Sequence, residues 1–154
     1  MLIQQSRWVA PALVGALLVA LSGSAHATLG AGAQSVIEDQ AAMAATHALT
    51  PQATFDLHEL TTAAGVKVRE YAARGGPVFA VAWDGPIAPD LKRLLGAHYQ
   101  RFQSELLAHR TGHHVLSVQT PDLVVSVTRF QRTGSGHVIL PALVPAGTAF
   151  GQLR

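Results

Sequence analysis

The sequence predicts an α+β fold of two layers, in which antiparallel sheet packs against one long amphipathic helix. Three observations carry that prediction. Alternating apolar and polar residues recur in short runs from 55 to 83 and again from 114 to 140. A 3.6-residue period appears between them, over about 90–111. The connections TTAAG and AARGGP have the length and glycine content of hairpin loops. The predicted order is helix, three strands, helix, three strands, a layout that reads as a structural pseudo-repeat without sequence repetition.

The first helix is expected from Val36 to about His47, with Ser35 as its cap and Glu38 and Asp39 in the first turn. Thr50-Pro51 ends the segment, because the residue before proline is driven out of helical geometry. Phe55–Leu60, Val66–Tyr71 and Val78–Trp83 then form a three-stranded meander, with Phe79, Val81 and Trp83 sharing a face. Asp84-Gly85-Pro86 stops it with turn chemistry.

Pro89-Asp90 opens the long helix. Leu91, Leu94, Leu95, His98, Phe102 and Leu106 make its apolar side, and Gly112 is placed to end it. Strands follow at His114–Gln119 and Leu123–Phe130, then, after a loop at 131–136, at His137–Leu140. The tail 141–154 carries Pro141 and Pro145 and is expected to be irregular.

Residues 1–27 have the three parts of a cleavable secretory signal. Arg7 is the positive n-region, Trp8–Leu21 is uncharged and apolar, and Ala25-His26-Ala27 offers the small residues that a signal peptidase needs. Cleavage between Ala27 and Thr28 leaves 28–154 as one exported domain, in the periplasm or beyond. A spanning helix needs about 20 apolar residues, and this run is shorter and holds Pro11 and Gly15.

The chain has no cysteine, so stability in an oxidising compartment must come from packing. Arg7 is the one charged residue of the leader, so the net charge falls from +2 to +1 on its removal. No basic stripe of the kind a phosphate backbone demands is present, which argues against a nucleic-acid partner.

Several phrases in fixed order resemble a bacterial exported family, domain of unknown function 2844. They are Ala27-Thr28-Leu29-Gly30, Val68-Arg69-Glu70-Tyr71, Val78–Pro86 (VFAVAWDGP), Pro89–Gly96 (PDLKRLLG), Asp122–Val125 (DLVV) and Leu140–Gly147 (LPALVPAG). The resemblance spans nearly all of 28–154 and implies an exported protein of about this length. It carries over no activity and no site residue. Gly136–Leu140 and His98 depart from the family pattern, which has an aromatic at each place, and both departures concern local packing.

The chemistry-bearing residues each have a structural reading. His109, His113 and His114 are metal-ligand candidates, but a solvated helix end suits them better, since coordination needs three or four convergent ligands. His98 reads as a core-edge histidine with a satisfied ring. His58-Glu59 faces Arg69-Glu70, and because adjacent strand residues point to opposite faces this is cross-strand pairing rather than a catalytic set. Thr133–His137 lacks the strand-to-helix turn of a nucleophile elbow. Trp83 and Asp84 place an aromatic above a polar turn that either caps a buried strand or rims a cleft.

These features favour a non-catalytic binding or accessory protein of the envelope, without cofactor. Trp83, Asp84, His98 and the partly exposed Leu143, Val144 and Phe150 are its candidate contact residues. Two other readings stay open: a carrier of an apolar small molecule held between helix and sheet, and a hydrolase or isomerase using His98 with Glu70 or Asp84.

Overall fold

A computed structural model describes residues 28–108, 115–130 and 133–153. The leader 1–27, the helix end at Gly112 and the histidines at 109, 113 and 114 lie outside the described residues.

Seven strands form a single antiparallel sheet: β1 (Thr46–Pro51), β2 (Phe55–Thr61), β3 (Lys67–Ala73), β4 (Val78–Gly85), β5 (Val115–Gln119), β6 (Val124–Phe130) and β7 (Thr133–Ile139). Their spatial order is β1-β2-β3-β4-β7-β6-β5. Two hairpin-linked runs therefore meet at the β4–β7 seam, and β1 and β5 form the edges. Helices α1 (Gln34–Ala42), α2 (Leu91–Leu95) and α3 (Tyr99–Ala108) complete the described elements, with short 3₁₀ turns between and after them. The class is α+β, as expected.

The order of elements differs from the expectation: helix, four strands, helical segments, three strands. The alanine-rich run 41–48 was expected to continue the first helix to His47. It stops at Ala42 instead, Ala44 turns the chain at φ 47°, and Thr46–Pro51 pairs with β2. Alanine's helix preference amounts to a few tenths of a kcal/mol per residue and yields to a full ladder of strand pairing. Ser35 lies inside the helix and donates to the Gly32 carbonyl at 2.8 Å rather than capping it.

The long helix is also not continuous. It breaks at Gly96, where φ is 45°, and a 3₁₀ turn over Gly96–His98 links α2 to α3. The break lets Leu94 and Leu95 on one segment and Phe102 on the other all reach the core. Asp90, at the predicted start of the helix, caps α2 by accepting from the Arg93 amide at 3.0 Å.

Gly134-Ser135-Gly136 is part of β7, not of a loop. Gly136 stands opposite Trp83, and its missing side chain leaves room for the indole. A register shift at Tyr71/Ala72 sends Phe79 to the opposite face from Val81 and Trp83, which correctly share theirs.

Both faces of the sheet are covered at its centre. Toward the helices lie Leu60, Val68, Val81, Trp83, Val125 and Val138, packed on Val36, Leu94, Leu95 and Phe102. On the far face Phe55, Tyr71, Phe79 and Ile139 pack with the fully buried Leu153 and with Leu143 and Val144. The C-terminal segment thus closes one end of the far face, pinned by a Thr54–Thr148 hydroxyl contact of 2.7 Å.

Candidate functional site

The strand period puts polar residues on the helix-facing side of β1–β3. In β3, Val68, Glu70 and Ala72 alternate with Arg69 and Tyr71, so Glu70 belongs to the side that meets the helices. His58 of β2 is its direct cross-strand partner. His47 of β1 lies one diagonal step away, and its Nε2 is 3.0 Å from His58 Nδ1, with the two rings stacked at 5.2 Å.

From the helix side come Asp39 of α1 and Arg93 of α2. Arg93 Nε donates to Asp39 Oδ1 at 2.5 Å, and its Nη2 donates to the Glu38 carbonyl at 3.2 Å. That pair ties the two helices together above the sheet. Asp39 is 1% exposed, so its carboxylate sits inside the protein with one oxygen bonded and Oδ2 without a hydrogen-bond partner.

Glu70 is 0% exposed and neither carboxyl oxygen has a hydrogen-bond partner. An isolated buried carboxylate is so costly that the group stays protonated instead. Burial, reinforced by the negative charge of Asp39, pushes the Glu70 carboxyl up to about 8. Burial also raises Asp39, against the Arg93 interaction that lowers it. His58 moves the other way: burial and then His47 lower its pKa, so the ring is held neutral. At neutral pH the cluster is therefore a neutral carboxylic acid, a neutral imidazole and the ion pair that joins α1 to α2.

The sealed position decides what this arrangement can do. A fully buried acid cannot meet a substrate in this conformation, but it can hold a proton whose loss the surrounding packing resists. Among the described residues no group of three or more His, Cys, Asp or Glu is placed to hold a metal ion.

The residues singled out from sequence are dispersed. Trp83 is 2% exposed and packs edge-on against Phe102 at 6.4 Å, which makes it a core residue. Asp84 pairs with Arg69 at 2.7 Å on the far face of the sheet. His98 is half-buried on the helix side near Gly30 and Leu140, so the sheet separates it from Asp84. Leu143 and Val144 are half-buried on the tail-covered cluster, while Phe150 is largely exposed. Thr28 is buried, and Leu29 enters the core with its amide donating to the Leu94 carbonyl at 2.9 Å.

His58 and Glu70 do face one another, as the strand register implied, but without a charge pair, and Arg69 binds Asp84 rather than Glu59. Sequence reasoning missed Asp39 and His47. The available signal for Asp39 was its spacing of three from Val36, which places both on one helix face.

The fold and cluster define a small α+β protein: one open antiparallel sheet, helices on one face, and a buried polar knot beneath them. A family model described as "Protein of unknown function (DUF2844)" matches residues 25–153, and the chain belongs to that family. No curated protein and no solved structure matches it. No described helix is long and apolar enough to cross a membrane.

Proposed function

We propose that this protein is exported, loses residues 1–27, and serves as a non-catalytic module that docks an extended, uncharged segment of an envelope protein along β1. The observation that carries this reading is the chemistry of that edge. β1 pairs with β2 on one side and with no other strand among the described residues. Its six residues, Thr46 to Pro51, include no Lys, Arg, Asp or Glu, and Leu49 is 54% exposed on it.

Proteins guard their sheet edges with charges, bulges or covering loops, because unpaired backbone groups recruit foreign strands. A regular edge without charges is the feature that strand-addition partners use: the backbone ladder supplies affinity and side chains such as Leu49 supply selectivity. Pro51 lacks an N–H and limits the docking ladder to Thr46–Thr50. The His47 ring turns to His58, which leaves Ala48 and Leu49 as the side chains presented at the centre of the edge.

The test is photo-crosslinking from position 48 in the native host, with and without Leu49→Lys. The expected result is a discrete adduct with one envelope protein that Leu49→Lys abolishes while leaving the protein folded. An adduct only with a second copy of this chain, or none at all, contradicts the reading. The mass of the purified protein tests the export half, which requires a chain starting at Thr28.

A further inference from the structure

We propose that Glu70, His58 and Asp39 form a proton-operated latch beneath α1: with the Glu70 carboxyl neutral the helix lies closed on the sheet, and on its ionisation α1 loosens from β2 and β3. The inference stands apart from the docking edge and does not depend on it.

The geometry that carries it is an unpartnered acid facing a committed ion pair. Glu70 is fully buried with both oxygens unbonded. From β2 it faces His58, from β4 the uncharged Val81, and from α1 the Asp39 carboxylate, whose charge acts on it. Behind Asp39 stand Glu38 of the same helix, Asp90 at the start of α2, and Arg93. Asp56, on β2, acts on His58. Among the described residues the cation that reaches this knot, Arg93, is already engaged by Asp39 and by the Glu38 carbonyl. Ionised Glu70 therefore faces the charge of another carboxylate in a medium that screens poorly.

α1 is the element built to yield. It has nine residues, no side-chain cap, and only Ser35, Val36 and Asp39 fully buried. It leads into β1 through Ala44, whose left-handed φ of 47° strains a non-glycine residue. β3, by contrast, is hydrogen-bonded along both edges. On the sheet side, the half-exposed His47 contacts His58, and His58 is the cross-strand partner of Glu70.

The sign follows from linkage. Closed, the Glu70 carboxyl titrates at about 8, and in an open helix it returns to the ordinary 4.5. The closed state therefore holds the extra proton between those values, and raising pH through that window favours opening. His58, neutral when closed, opposes this below its ordinary 6.5, so the unopposed window is pH 6.5 to 8.

Amide hydrogen exchange on the whole protein, corrected for intrinsic rates, tests the latch. Protection at Val36–Met43 is expected to fall by about tenfold per pH unit from 6.5 to 8 and then level off. That exchange should be insensitive to low urea, because a local opening exposes little surface, whereas β4 amides exchange through urea-sensitive global unfolding. Glu70→Gln, which has no proton to lose, should flatten the α1 profile. A flat wild-type profile, a Glu70→Gln profile that keeps the slope, or α1 exchange with the urea dependence of β4 overturns the proposal. Should Glu70→Gln fail to fold, the wild-type slope, its plateau and its urea dependence decide the matter alone.

Discussion

Trp83 of β4 and Gly136 of β7 are cross-strand partners, and the indole occupies the space that a side chain at 136 would need. A β-carbon built on Gly136 falls 2.4 Å from Trp83 Cζ2 and 2.9 Å from the Ser126 carbonyl oxygen. The contact locks the seam between the two halves of the sheet, because Trp83 also packs edge-on against Phe102 of α3. Gly136→Ala must displace either the largest core side chain of β4 or the backbone of β6. It should cost about 2–3 kcal/mol, in the range of overpacked cores, measured by urea unfolding; a cost below about 0.5 kcal/mol would mean that the seam is loosely packed.

The C-terminal segment is part of the fold. Leu153 is fully buried in the Phe55–Tyr71–Phe79 cluster, and Leu143 and Val144 pack beside it. Leu153→Ala should lower unfolding free energy by about 2–4 kcal/mol, as for other leucines cut back in a core. Phe150→Ala, at a largely exposed position, should change it by less than about 1 kcal/mol. Equal effects in urea melts would place the anchor elsewhere in the tail.

Arg93 neutralises a carboxylate that the fold buries. Arg93→Met leaves Asp39 inside without its cation, and the cost should be about 2–4 kcal/mol, reduced from the fully buried case because Arg93 itself is one-third exposed. The double change Asp39→Leu with Arg93→Met should recover most of that loss. If the double variant is no better than Arg93→Met, the pair is not what makes the single change costly.

Stability should fall as pH rises from 6.5 to 8. Glu70 keeps its proton in the folded protein up to about 8 and loses it near 4.5 when unfolded. Through that window the folded state binds more protons, so stability falls by up to about 1.4 kcal/mol per pH unit, less as pH nears 8, or about 1.6 kcal/mol in all. Urea titrations at the two pH values measure it directly, and equal stabilities would contradict a neutral Glu70.

The central strands were legible because Phe55–Leu60, Val66–Tyr71 and Val78–Trp83 alternate and end in turn residues. What failed, failed for tertiary reasons. The alanines of 41–48 carry no period, so nothing local told α1 to stop or Thr46–Pro51 to pair with β2. Gly134 and Gly136 look like loop residues until Trp83 is placed across from Gly136. The break at Gly96 is hidden inside a clean helical period. Glu70 sits between Val68 and Ala72 in the helix-facing register, but the far face at Tyr71 is buried too, under the tail. Burial on both sides removes the contrast that would have marked Glu70 as a charge facing inward.

The most direct test of this account is a ¹³C NMR titration of the Glu70 side-chain carboxyl in the folded protein. A midpoint near 8 is predicted, with the Glu70 signal absent from the spectrum of Glu70→Gln. A midpoint close to the ordinary 4.5 would mean that the carboxyl is solvated or paired, and the buried neutral acid at the centre of this account would not exist.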